Sequence, residues 1–484
     1  MDFHPIIGLE IHLQLNSRAK LFCRAPNFYS DNPNTNVDFY TFALPGSLPV
    51  INPEAVEKAV LLALGLCCQI QFESYFDRKH YFYPDLPKGY QITQFFKPFA
   101  VLGKFVFPMN GRLREVPIKS IQLEEDAGKN LHDRILGLSL VDLNRAGVPL
   151  VEVITDPCFR SPEEAAEFVR YFRNFARYLG ISEANLEQGS LRCDVNVSVK
   201  KTDSVELGTR VEIKNLNSFK FLVQALNYEI GRQVKLVREG REVKRETRGY
   251  NPEKNVTYSL RSKEELSDYR YMPDPDLPPL VITDSMIKKI ASKVPRLPNE
   301  LFLELTEINH VNPDDAALVS YDKEYAELYL KMLKGGIAPK VAVNYIVNDL
   351  RGHLNTRNLS IDQIPFNISK LQQLLMAYQN NEISSKGVKT ILEKLFDQPA
   401  LNIDEELAGT EYRIVDDASK AQQIVDEVLA ENANLVSEIL AQESKSSVFV
   451  QKRIGFLVGQ AIKRAPHLDP KQLGALIRSK FGLD

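Results

Sequence analysis

The segment GLEIHLQL at residues 8–15 alternates without a fault. Leu9, Ile11, Leu13 and Leu15 fall on one side, and Glu10, His12 and Gln14 on the other. Successive side chains of a strand point to opposite faces, so this pattern is a strand with one apolar and one polar face. The pattern recurs. In SLRCDVNVSV, Leu191, Cys193, Val195, Val197 and Val199 oppose Arg192, Asp194, Asn196 and Ser198. RVEIKNL sets Val211 and Ile213 against Arg210, Glu212 and Lys214, and PLVEVIT places Glu152 between Val151 and Val153. Strands of this kind build a sheet with one face on the core and one face left open. A merely wet face would be filled with Thr, Lys and Glu without selection. Single Asp, Asn, Arg and Glu residues with few solubilising lysines point to a working face.

Carboxylates converging with one histidine suit a hard divalent cation such as magnesium or manganese. Such a cation together with Arg and Lys is the equipment of phosphoryl transfer. QLEEDAGKN adds Glu124, Glu125 and Asp126. Strict alternation puts Glu124 on the face of Gln122, whereas a bulge near the strand end would select Glu125. The chain has no GxxxxGK[ST] loop, no GxGxxG after a strand and no HRD or DFG set, so any use of ATP needs a different scaffold. No Ser or Cys stands in a nucleophile motif. The five cysteines, Cys23, Cys67, Cys68, Cys158 and Cys193, form no CxxC and read as reduced thiols. Cys193 has the apolar parity of its strand and reads as a core residue.

Organisation follows from texture. Residues 1–293 hold most of the 27 prolines and the alternating segments, which predicts an α+β domain dominated by antiparallel strands. Ser161 and Pro162 open one clear helix in it, closed by Gly180. Residues 294–405 carry helical periodicity in AELYLKML, PKVAVNYIVNDL and KLQQLLMAY. LNIDEELAGTEYRIVDD reads as an acidic linker into a helical tail, residues 406–484. The whole chain has a net charge of −3, yet Lys445 to Asp484 holds eight Lys and Arg against two Asp, a net of +6. Binding to nucleic acid therefore has to use a local patch. No apolar run reaches about 18 residues, so no membrane span is expected. The N-terminus lacks the form of a secretory signal, which makes the cytoplasm the default expectation.

Eight stretches, in order, resemble the GatB family, the B subunits of tRNA-dependent amidotransferases. They are IGLEIHLQL, FDRKHYFYPDLPKGYQI, LEEDAGKN, VDLNRAGVPLVEV, GSLRCDVNVSV, EIKNLNSF, ETRGYN and RSKEELSDYRYMPDPDLPPL. IVDEVLAEN and GFLVGQAIK extend the likeness to the C-terminal part. The resemblance implies a glutamine-synthetase-like antiparallel cradle for metal and ATP over 1–293, a helical domain over 294–405 and a tRNA-contacting tail over 406–484. It implies a ligase: ATP phosphorylates the side-chain carboxylate of Glu mischarged on tRNA(Gln), or Asp mischarged on tRNA(Asn), and ammonia displaces the phosphate. Ammonia would come from an amidase A subunit, with a small C subunit completing a heterotrimer.

By family motif, Glu10, His12, Glu125 and Glu152 are the implied catalytic metal ligands, with Mg2+ as the implied ion. Asn144, Arg145 and Arg192 are implied contacts to phosphate or the aminoacyl end, and Lys79 and Lys88 lie at the implied ammonia-channel entrance. Lys452, Arg453, Lys463, Arg464, Lys471, Arg478 and Lys480 of the tail are the expected contacts to tRNA phosphates. The sequence departs from the family at its zinc-binding cysteines: only Cys23 remains, with Asp38 and Thr41 where others would stand. One thiol makes no tetrahedral site, so no structural zinc is expected. His80 stands where the family commonly has Asn and is expected to serve as a local hydrogen-bonding substitute.

Overall fold

The computed structural model describes residues 3–133, 137–202, 206–262, 269–409, 413–414, 417–441, 448–465 and 468–483. The chain forms two compact units, Met1–Leu303 with Ser320–Lys323, and Glu304–Val319 with Glu324–Asp484. Part of the RSKEELSDYRYMPDPDLPPL motif, residues 263–268, lies outside the described residues.

The alternating segments of the first unit pair into one nine-stranded sheet. Its strands in chain order are β1 (Phe3–Gln14), β2 (Gln69–Ile70), β3 (Ala100–Met109), β4 (Arg112–Glu125), β5 (Pro149–Thr155), β6 (Leu191–Lys201), β7 (Val211–Lys214), β8 (Glu246–Asn251) and β9 (Val256–Ser262). They lie in the order β9-β8-β7-β6-β1-β5-β4-β3-β2. β1 is central, antiparallel to β5 on one side and β6 on the other. The sheet is not wholly antiparallel: β7 and β8 run parallel. The reason is the connection between them, which is the long helix α3 (Phe219–Arg238) and not a tight turn.

The apolar face of β1 is fully covered, with Ile7, Leu9, Ile11 and Leu13 at most 1 % exposed. Three helices cover this face, α1 (Pro53–Gly65), α2 (Pro162–Tyr178) and α3. α2 starts as its sequence requires. The Ser161 side chain accepts the backbone N–H of Glu164, Pro162 occupies the first turn, and Gly180 ends the segment at φ +68. Its Phe168, Phe172 and Phe175 pack around Phe105 of β3. Burying these large apolar groups pins the sheet from behind, and the polar face stays available.

The second unit is helical and takes in the expected tail. Lys323–Lys334 opens the expected helical series, and Ile368–Gln379 matches another of its segments. PKVAVNYIVNDL is helical but not uniformly so, because Tyr345–Leu350 widens into a π-helical turn. The expected linker is not plain coil. Ile403–Gly409 forms a short helix because Ile403 is buried and Asn402 Oδ1 accepts the backbone N–H of Asp404. Residues 410–412 and 415–416 of that segment lie outside the described residues. The tail helices Ala418–Glu431, Ala433–Leu440, Val448–Arg464 and Pro470–Lys480 share a core of their own, including Val425, Ile454, Leu457 and Leu473.

Candidate active site on the polar face of the sheet

Facing residues of neighbouring strands share a face, so the register fixes what meets. One row across β4, β5, β1 and β6 reads Gln122, Glu152, His12, Arg192. The next reads Glu10 and Asp194, with Lys214 of β7 reaching Asp194. His12 is the centre. Its Nδ1 lies 2.8 Å from Glu124 Oε1, and its Nε2 lies 3.8 Å from Glu152 Oε1 and 3.9 Å from Asp194 Oδ2. Asn196 Nδ2 donates to Glu10 Oε1 at 2.7 Å, and Lys214 Nζ donates to Asp194 Oδ2 at 2.6 Å.

The acids and cations here perturb one another. Burial alone would push the His12 imidazole down, but the charge and hydrogen bond of Glu124, with Glu152 and Asp194, raise it to about 9. Burial and the neighbouring Glu124 and Glu10 carboxylates push Glu152 up to about 7. Glu124 is held below the usual carboxylate range, because the His12 charge and hydrogen bond outweigh its burial.

The structure separates the two glutamates that the sequence left in competition. Glu125 does not join His12; Glu124 does. The pairing of β4 with β5 runs in register through Leu150↔Glu124 and Pro149↔Glu125, and its one irregularity lies at Ile154/Thr155. With no bulge at 124–125, parity holds and Glu125 turns the other way. Its carboxylate pairs with Lys88 and accepts the backbone N–H of Ile92 at 3.0 Å. Lys88 also donates to the Tyr40 hydroxyl at 2.8 Å and stands over the Tyr40 ring.

Asp126, just beyond β4, counted in the sequence only as one more acid of QLEEDAGKN, is a hub. It accepts from Gln14 Nε2 at 2.9 Å and from Arg192 Nη2 at 2.8 Å, and it lies 3.2 Å from Arg145 Nε. Arg145 is further fixed by donating to the Ala127 and Gly128 carbonyls. The two expected arginines are thus brought together by one carboxylate. Asn144 is placed differently: Nδ2 donates to the Asn32 carbonyl at 2.6 Å and Oδ1 accepts the Asn36 N–H at 2.8 Å. Its amide is committed to the loop between β1 and α1. Lys79 lies with its Nζ 5.0 Å from the Tyr269 ring centroid, and its charge is felt by both Glu124 and Glu152.

Among the described residues, no three His, Cys, Asp or Glu side chains form a ready-made metal shell. The donor chemistry nevertheless suits a hard divalent cation, since carboxylates surround a single imidazole. The raised His12 and Glu152 values reflect how many acids crowd one buried imidazole. Elsewhere, Cys23, Asp38 and Thr41 do come together. Asp38 Oδ1 accepts from both the backbone and the hydroxyl of Thr41 at 2.9 Å, and Cys23 Sγ lies 3.9 Å from Thr41 Oγ1. Burial pushes the Cys23 thiol up to about 11. His80 Nδ1 is 3.0 Å from the Arg270 carbonyl, a local hydrogen bond.

The tail cations divide into two groups. Arg453 pairs with Glu438 at 2.7 Å, Arg464 with Glu431 at 2.8 Å, and Lys480 with Asp426 at 3.0 Å. Lys452, Lys463, Lys471 and Arg478 are exposed and make no ion pair with the described residues.

Comparison with known proteins gives the family. Residues 5–288 match the family described as GatB/GatE catalytic domain, and residues 327–481 match the GatB domain. The B subunit of an aspartyl/glutamyl-tRNA(Asn/Gln) amidotransferase from Pseudomonas fluorescens is 40% identical over 484 residues, covering 99% of this chain and 100% of the relative. Its namesake from Campylobacter hominis is 38% identical, again over 99% of this chain and 100% of the relative. A sheet whose polar face gathers the family's motif residues, together with likeness along the whole length, leaves one conclusion: the chain belongs to the GatB family of amidotransferase B subunits.

Proposed function

We propose that this chain activates the side-chain carboxylate of Glu on tRNA(Gln), or of Asp on tRNA(Asn), by transfer of the γ-phosphoryl group of ATP, and then amidates it. The observation that carries the reading is the His12 cluster, with Glu124, Glu152 and Asp194 within 4 Å of one imidazole on an otherwise regular sheet face. A protein that only held a tRNA in place would have no use for that cluster. Glu10, Glu124, Glu152 and His12 would hold a magnesium ion, which would supply charge neutralisation at the phosphoryl group.

The chain's own residues do the positioning. Arg145 and Arg192, both held by Asp126, orient anionic oxygens of the substrate. The substrate carboxylate oxygen bonds to the γ-phosphorus as ADP departs, giving an acyl phosphate. Ammonia then bonds to the acyl carbon, inorganic phosphate leaves, and a proton is lost to give the amide. Lys79 and Lys88 flank the ammonia entrance; Lys88 is neutralised by Glu125, and the Lys79 charge disfavours ammonium while neutral ammonia passes. Ammonia comes from a separate amidase subunit, with a small third subunit completing the complex. The loop between β1 and α1 supports a partnered life: Phe28, Tyr29, Phe39, Leu48 and Val50 are each more than 60% exposed, an apolar surface of the kind partners cover.

The test is phosphate release from ATP by the chain co-expressed with its amidase and small partners. Release is expected to need magnesium and Glu-charged tRNA(Gln) or Asp-charged tRNA(Asn), and to collapse in Glu10→Gln. Unchanged release in Glu10→Gln would place the chemistry elsewhere and leave this chain a tRNA-binding scaffold for the amidase.

A further inference from the structure

Part of the polar face lies outside the cluster that does the chemistry. From Glu10 the row of facing residues runs outward across β6, β7, β8 and β9 as Asp194, Lys214, Gly249 and Tyr258. Gly249 is the one member without a side chain, and the space above it is filled by its neighbour. A Cβ on Gly249 would stand 2.7 Å from Tyr258 Cζ and 2.8 Å from its hydroxyl oxygen. Only glycine lets the ring lie there. Tyr258 belongs to the edge strand β9, yet its ring leans inward over β8. It is also not packed away, since 45% of it is exposed. Beside it, Lys214 Nζ is held between Asp194 Oδ2 at 2.6 Å and Glu212 Oε1 at 3.0 Å.

Neighbouring strands lie about 4.8 Å apart, so the three steps from β1 to β8 span about 14 Å. That is close to the length of an extended nucleoside triphosphate. The row carries acids for a metal at one end, a lysine along its course and an open aromatic ring at the other end. Phosphate chain and purine base match that order of charges and surfaces.

We propose that Tyr258, laid over Gly249, is the stacking platform for the base of the nucleoside triphosphate, with Lys214 alongside the phosphate chain. The proposal rests on the reading of this face as the ATP-using site. Adenine also ends every tRNA, so the experiment has to separate the two sources.

The full chain with its partner subunits is titrated by calorimetry with magnesium–ATP and with magnesium–tripolyphosphate, which has no base, and the KM for charged tRNA is measured in parallel. Tyr258→Leu is expected to weaken ATP binding about tenfold while leaving tripolyphosphate binding and the KM for tRNA in place. Tyr258→Phe is expected to restore ATP binding, and Gly249→Ala, which displaces the ring, to weaken it. Equal loss of ATP and tripolyphosphate would reduce the ring to a prop for the sheet. A loss confined to tRNA would hand it to the terminal adenosine, and no loss at all would remove it from binding; each of these overturns the proposal. Wild type that takes up no magnesium–ATP would instead bring down the ATP reading as well.

Discussion

Two adjacent glutamates, Glu124 and Glu125, are chemically identical and do different work. Glu124 bonds His12, while Glu125 bonds Lys88, and strand parity separates them. Their substitutions should therefore part company. Glu124→Gln is expected to raise the magnesium concentration needed for half-maximal phosphate release at least tenfold, because it removes a charged donor from the cluster. Glu125→Gln is expected to leave that magnesium requirement unchanged and to lower the yield of amide per ATP hydrolysed, because it unpairs Lys88 near the ammonia entrance. Identical magnesium curves for the two variants would contradict the division. Much of this site was legible in the sequence: alternation alone put Glu10, His12 and Glu152 on one face and favoured Glu124. What hid the role of Glu125 was a tertiary partner 37 residues away. Asp126 was harder still, because it lies beyond the last residue of β4, where period-two reasoning stops.

At the scale of elements, α3 does more than connect β7 to β8. Its Glu229 is fully buried and is satisfied from several sides: Arg232 Nη2 donates to it at 2.7 Å and Thr257 Oγ1 at 2.9 Å, while Arg248 Nε lies 3.3 Å away. Glu246 of β8 closes the network through Arg248 at 2.6 Å. Burial opposes ionisation of Glu246, but hydrogen bonds from Ser259 and Arg248 and the charges of Arg248 and Arg232 hold its pKa below the usual value. A carboxyl depressed on folding contributes stability above its unfolded pKa of about 4.3 and loses it as pH falls through the folded value. Glu246→Gln is therefore expected to lower the melting temperature at pH 7 and to flatten its decline below pH 4.5; a decline as steep as wild type would exclude Glu246 as its source. The sequence showed β8 only as part of a motif. It did not show that a parallel pairing would be tied down from behind by a buried acid. The short helix at Ile403–Gly409 was equally hidden, since its cause is the burial of one isoleucine in an acidic stretch.

For the whole molecule, the charge of the tail is smaller in effect than in count. Three of its seven singled-out cations are spent on the acidic helices Ala418–Glu431 and Ala433–Leu440. Four remain for phosphates. Each phosphate neutralised adds about 0.7 to 0.9 to the slope of log affinity against log salt, so changing Lys452, Lys463, Lys471 and Arg478 together to Ala is expected to reduce that slope for tRNA by about three to four. Arg464→Ala is expected to leave the slope where it was; a slope reduced as much by Arg464→Ala would refute the division of the tail cations. The central place of β1 has a different consequence, which concerns the order of synthesis. β1 leaves the ribosome before both its neighbours, β5 and β6, and Glu10 meets Asn196 only 186 residues later. At about 5–20 residues per second the strand waits roughly seven to thirty seconds for β5 and roughly ten to forty seconds for β6. Unpaired edges invite pairing with other chains. The central strand, made long before either neighbour, is thus the one most in need of protection while they are being made, and a nascent chain halted before residue 201 is a natural client for a chaperone.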